Sequence, residues 1–101
     1  MLGSVVVRNS QFINSATGLG VDGNATVDVD AVCYFYSNDT GIHFSDAGSS
    51  STVRSSGITQ NTSNAIICDA ASHPVIEANI IANNGGGIYC SNNSLPLIKG
   101  N

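Results

Sequence analysis

A four-residue phrase returns along this chain at nearly constant spacing. Gly18-Leu19-Gly20-Val21, Gly41-Ile42-His43-Phe44, Ala65-Ile66-Ile67-Cys68 and Gly87-Ile88-Tyr89-Cys90 begin 23, 24 and 22 residues apart. A second phrase keeps the same period: Val7-Arg8, Val29-Asp30, Val53-Arg54, Ile76-Glu77 and Ile98-Lys99. Two registers with one period imply a chain wound into stacked coils, a reading that outranks any local propensity.

One repeat shows how a coil is built. Gly87-Ile88-Tyr89-Cys90 alternates as a strand does, with Ile88 and Cys90 on one face and Tyr89 on the other. Ser91 to Ser94 is turn chemistry, and Pro96-Leu97-Ile98-Lys99 resumes extended chain, as Pro74-Val75-Ile76-Glu77 does one coil earlier. A corner is expected near Asn79, since Asn tolerates the left-handed conformation of a sharp bend. A third strand, Ile80-Ile81-Ala82, then leads to a second corner at Asn83-Asn84-Gly85-Gly86. Helix is not expected, because no segment keeps apolar residues at helical spacing and turn-formers recur throughout.

Stacking places matched residues about 4.8 Å apart. The expected inward columns are Leu19/Ile42/Ile66/Ile88, Val21/Phe44/Cys68/Cys90, Val7/Val29/Val53/Ile76/Ile98 and Phe12/Tyr34/Ile58/Ile81. Beside the third column runs an outward one, Arg8, Asp30, Arg54, Glu77 and Lys99, whose charges alternate in sign. Like charges so placed would repel, whereas alternating ones attract. Since the alignment was built from apolar residues, this alternation supports it independently. Asn14, Gln60 and Asn83 align as an amide ladder, with Tyr36 as its exception.

Composition narrows the function classes. With 101 residues the chain forms a single domain at most, 1–101. A net charge of −4 and three Lys and Arg residues disfavour nucleic acid and anionic membrane as partners. An apolar content of 42%, recurring in register, argues against disorder. No signal peptide or membrane span is legible at the N-terminus, where Arg8 interrupts the apolar run. Cys33, Cys68 and Cys90 have no metal-type spacing. Cys68 and Cys90 are expected to pack inward as small hydrophobes, a disulfide or reactive pair being the alternative, and Cys33 sits near a corner, open to exposure.

The string from Pro74 to Tyr89 resembles the repeats of right-handed parallel β-helices of the pectate-lyase-like superfamily. The resemblance spans about four coils, from Val5 to Asn101, and implies an all-β right-handed parallel β-helix with three short strands per coil. It is specific for fold and not for function, since that superfamily includes lyases, hydrolases, esterases, tailspikes and adhesins. It also implies an extracellular or cell-surface setting. Family members usually have more coils and a capped N-terminal end, so the bare ends expected here suggest a fragment, an engineered piece or a protein whose ends are covered by association. A homo-oligomer is expected in each case.

In the superfamily, the ligand face is the first strand of each coil and the loop after it. The corresponding outward positions are Gly20, His43, Ile67 and Tyr89, followed by Asp22, Ser45 with Asp46, Asp69 and Ser91. The resemblance implies that Asp22, Asp46 and Asp69 are the candidate hydrolytic carboxylates, with His43 as an acid or positioning group. The same three aspartates are the weaker candidates for an oxygen-ligated cation. Asp at a strand end is also an ordinary turn residue. Lyase chemistry is rejected, because Arg8 and Arg54 map to another face.

Of the adjacent aromatics Tyr34-Phe35-Tyr36, at least one should point outward, to stack on a sugar or fill a subunit contact. Sequons begin at Asn24, Asn38, Asn61 and Asn92. The expectation is a non-catalytic structural or carbohydrate-binding module, with Tyr89, His43 and Asp69 as ligand contacts, no cofactor, and self-association through its ends or a flat face. The alternative is a remnant or fragment of a polysaccharide hydrolase.

Overall fold

The computed structural model describes residues 4–23, 25–30, 32–45 and 51–101. Along them run β1 (Ser4–Arg8), β2 (Gln11–Ile13), β3 (Thr17–Val21), β4 (Thr26–Asp30), β5 (Tyr34–Tyr36), β6 (Thr40–Ser45) and β7 (Thr52–Arg54). They are followed by β8 (Gly57–Thr59), β9 (Asn64–Asp69), β10 (Val75–Glu77), β11 (Ile80–Ala82), β12 (Gly86–Cys90) and β13 (Leu97–Lys99). Every third strand pairs in parallel with the one a coil earlier. The result is three sheets, with orders β1-β4-β7-β10-β13, β2-β5-β8-β11 and β3-β6-β9-β12. The fold is an all-β parallel solenoid of about four turns, as the repeat requires.

Three of the four expected apolar columns are realised in register. Leu19, Ile42, Ile66 and Ile88 stack, as do Val21, Phe44, Cys68 and Cys90. Val7, Val29, Val53, Ile76 and Ile98 form the third. The fourth is Phe12, Phe35, Ile58 and Ile81, so Phe35 and not Tyr34 points inward. The cause is a local insertion. Two residues separate β1 from β2, β7 from β8 and β10 from β11, but three separate β4 from β5. A shift of one residue turns a strand's faces over. It brings Phe35 onto Phe12, with ring centroids 4.8 Å apart and planes within 5°, and buries Phe35 completely. Tyr34 is left outward, 47% exposed.

Corners divide their work between two neighbouring residues. The bends after the β2, β5, β8 and β11 strands are made by Asn14, Ser37, Gln60 and Asn83, all with φ of 57° or 58°. Ser37, rather than Tyr36, thus completes that column. These residues bend the chain, and the amide ladder sits one position later. Asn38 Oδ1 accepts from Ser15 N (3.0 Å), Asn61 Oδ1 from Asn38 N (3.1 Å), and Asn84 Oδ1 from Asn61 N (2.9 Å). Their Nδ2 groups donate to the carbonyls of Phe12, Phe35 and Ile58. Asn38 and Asn61 are 1% and 2% exposed, which closes those two sequons to glycosylation. Asn92 is exposed, and Asn24 lies outside the described residues.

The other corner repeats the division. Ala78 (φ 56°), not Asn79, is the left-handed residue. Asn79 lies inside, where Oδ1 accepts from Ser56 N and Nδ2 donates to Val53 O and Asn101 Oδ1. Close approach of the next coil requires glycine at two positions of the first phrase. A Cβ on Gly18 would lie 2.6 Å from Gly41 O and 2.9 Å from Asn38 Nδ2, and one on Gly41 would lie 2.6 Å from Ala65 O and 2.9 Å from Ile58 Cγ2, whereas Gly87 faces open space.

On the outward column, Arg8 faces Asp30, and Glu77 lies between Arg54 and Lys99. Lys99 Nζ is 3.5 Å from Glu77, an exposed contact that sets register more than it adds stability.

Two substitutions test these corners. Asn61→Ala removes the partners of two backbone groups, Asn38 N–H and Phe35 C=O, and is expected to cost about 2–4 kcal/mol. Thr62→Ala next to it, whose hydroxyl meets Asp39 at the surface, should change stability by less than about 0.5 kcal/mol in the same urea titrations. In the turn Asp69–Ser72, closed by Ser72 N to Asp69 O at 3.1 Å, Ala70 and Ala71 have φ of 50° and 63°. Two left-handed alanines in succession define a type I′ turn in residues ill suited to it. The matching turn one coil later uses Asn92 and Asn93. The double substitution Ala70→Asn/Ala71→Gly should raise stability by about 1 kcal/mol, measured by the urea midpoint.

Candidate functional site

The third sheet presents the expected outward row. Gly20 faces His43, His43 faces Ile67 and Ile67 faces Tyr89, each one rung apart. Alternation along β3, β6, β9 and β12 fixes this, because the inward neighbours are the apolar columns. Tyr89 is 56% exposed, and Ile67 is half-buried between it and His43. At the strand ends, Ser45 is the register partner of Asp69, and Asp22 follows Val21 on the rung before.

His43 and Asp69 come together diagonally across rungs. His43 Nε2 lies 3.1 Å from Asp69 Oδ2, with both side chains partly exposed. With its proton on Nε2 the imidazole donates to the carboxylate. This hydrogen bond is the main reason that the Asp69 carboxyl is held below the ordinary aspartate value; Ser45 adds to it, and partial burial opposes it. Asp69 Oδ1 is buried without a hydrogen-bond partner among the described residues. A carboxylate so held accepts hydrogen bonds well and is poorly suited to deliver a proton at neutral pH.

The space above Gly20 is open, with no atom within 4 Å of where a Cβ would stand. Thr17, Gly20, Val21, Asp22, His43 and Ser45 line the shallow notch that results. One face therefore carries a notch rimmed by hydroxyl, carboxylate and imidazole groups, a hydrogen-bonded carboxylate beside it, and an aromatic ring further along the axis.

The three candidate aspartates do not form one cluster among the described residues. Asp46 lies outside them. Asp22 and Asp69 occupy the same strand-end column with Ser45 between, two rungs or about 9.6 Å apart along the axis. The described residues contain no group of three His, Cys, Asp or Glu side chains placed to hold a metal ion. Cys33, placed by the sequence near a corner and open to exposure, is fully buried, its thiol 3.5 Å from Val7 O and 3.6 Å from Asp30 O. On the second sheet, the Tyr34 ring leans over Gly57, beside exposed Val32 and Ile80.

Among known proteins, a family model described as a right handed beta helix region matches residues 3–101. No curated protein and no solved structure matches the chain.

The lowered Asp69 value carries a pH dependence. Its stabilising contribution is complete above the ordinary aspartate pKa of about 3.9 and is lost as pH falls through the lower folded value. Asp69→Asn should therefore lose less stability than the wild type when the pH is lowered from about 5 to about 2. Equal acid slopes for the two proteins in urea titrations would contradict this.

Proposed function

Because the chain belongs to the right-handed β-helix family, we propose that it serves as a non-catalytic module that binds polysaccharide on the outward face of its third sheet and associates with further copies through a flat apolar face. One observation carries the binding half. Exposed Tyr89 shares a column with the open notch at Gly20, and the His43–Asp69 pair lies between them. An aromatic face for the apolar side of a sugar ring, next to a fixed acceptor and several hydroxyls, is the composition that saccharide recognition uses. Tyr89, His43 and Asp69 are the contacts assigned to it. A polysaccharide partner suits an extracellular or cell-surface setting.

Association is supported by the outward side of the second sheet, where exposed Val32, Tyr34 and Ile80 lie together as an apolar patch.

Hydrolysis is the second reading. The rungs of Asp22 and Asp69 stand about 9.6 Å apart, just beyond the span of about 6.5–9.5 Å between carboxyls that invert a glycosidic centre through a water, so the two side chains would have to lean toward each other. In that reading, Asp69 serves as the base and Asp22 must supply the proton.

A glycan-binding screen with light scattering tests these readings together. Tyr89→Ala should weaken binding of a retained glycan about tenfold, equivalent to about 1.4 kcal/mol, while His43→Ala weakens it without altering oligomer mass. Binding unaffected by either change removes the proposed face. A monomer at every concentration removes the association, and glycan cleavage abolished by Asp69→Asn would replace the module reading with the hydrolytic one.

A further inference from the structure

We propose that the outward face of the third sheet selects polysaccharides bearing free amino groups and turns polyuronates away, with Asp22 and Asp69 as the residues that set this preference. Such a preference presupposes that the face is a saccharide surface, as proposed above, and adds the charge class of the ligand. Its cause is the division of charge over the solenoid. The three bases of the chain, Arg8, Arg54 and Lys99, all lie in the outward column of the first sheet. Asp30 and Glu77 alternate with them there, and Asp28 stands on the same outward side of β4. Three bases and three acids cancel, so that side is neutral as a whole. The net charge of −4 is then carried by the remaining acids, Asp22, Asp39, Asp46 and Asp69. All four flank strands of the third sheet in the sequence. Asp22 follows β3, Asp39 precedes β6, Asp46 comes directly after Ser45 at the end of β6, and Asp69 closes β9.

A sugar chain laid along His43, Ile67 and Tyr89 therefore meets carboxylates and no arginine or lysine. Asp22 is exposed at the rim of the notch beside Gly20, a space of about 300 Å³, and its carboxylate has no hydrogen-bond partner among the described residues. Asp69 keeps its charge because His43 Nε2 donates to Oδ2 at 3.1 Å and holds the carboxyl below the ordinary aspartate value. The two share a strand-end column, two rungs or about 9.6 Å apart, with Ser45 between them. In an extended β-1,4-linked chain alternate sugars present the same side, so their amino groups recur at an interval of similar length. An ammonium can then sit by each carboxylate, whereas a uronate would bring like charges together. Attraction between exposed charges is modest and screened by salt. It decides which chain is kept more than how tightly any chain is held.

Binding of the full chain to length-matched oligomers of glucosamine, N-acetylglucosamine and galacturonate, with polylysine as a control, is measured by calorimetry at about pH 6, where amines and aspartates are both charged. The glucosamine oligomer should bind several-fold more tightly than its acetylated counterpart, and the galacturonate oligomer should not bind. Raising the salt from about 0.05 to about 0.5 M should remove most of that preference. Asp22→Asn and Asp69→Asn should each lower it about twofold to fivefold, with binding of the acetylated oligomer retained. Glu77→Gln removes an equal charge from the first sheet and should leave it unchanged. Equal binding of the amino and acetylated oligomers, or tighter binding of galacturonate, overturns the preference and leaves the saccharide face standing. A loss as large with Glu77→Gln as with the aspartate variants also overturns it, since net charge alone would then be the cause. If no oligomer binds, the saccharide face and the preference fall together, and retention of polylysine alone would make the partner a basic protein instead.

Discussion

Parallel strands can stack rung on rung only if every corner returns the chain at the same height, and buried amides achieve that here. Each inward Asn accepts from the backbone N–H of the equivalent corner one coil away and donates to a strand carbonyl. A corner is where strand ladders stop, so its backbone groups would otherwise be buried without partners. The side-chain amide has both a donor and an acceptor and can serve two groups at once. Apolar columns, charge alternation and the outward row all depend on that register. If it slipped by one residue, their faces would exchange.

Equal rungs make the interior a set of one-dimensional stacks, and burial follows position along the axis. Phe35, Phe44, Ile42, Ile58 and Ile66, in the middle coils, are completely enclosed, whereas Ile98, in the third column, is exposed at the last rung. Each coil is covered by its neighbours, so stability is shared between adjacent repeats. The terminal rung has one neighbour only, which is why Cys90 is open to solvent while Cys68, below it in the same column, is sealed.

The outward face of the third sheet is chemically varied because its geometry is so regular. Alternation frees His43, Ile67 and Tyr89 from core packing, and stacking brings residues two dozen apart into contact. The His43–Asp69 contact spans 26 positions in sequence and is diagonal, so neither residue is the other's register partner. Gly20 leaves the row open at one position, beside the notch lined by Thr17, Asp22, His43 and Ser45. The arrangement offers acceptors, hydroxyls and one ring on a firm sheet, a surface for holding a ligand.

Period, strand faces and three of the four core columns were determined by the sequence, because apolar alternation and a constant repeat length leave one way to bury the same residues on every coil. The charged column was legible for a similar reason: its alternating signs make sense only between stacked neighbours. Tertiary structure decided what depends on single residues at corners. The extra residue before β5 exchanged Tyr34 for Phe35, and the left-handed bend fell on Ala78 while Asn79 turned inward. Composition favours Asn at both kinds of position, and only the path of the backbone tells a bending Asn from a bonding one. The meeting of His43 with Asp69 was likewise left to the fold, since a diagonal contact depends on the twist and height of rungs that no spacing in the chain records.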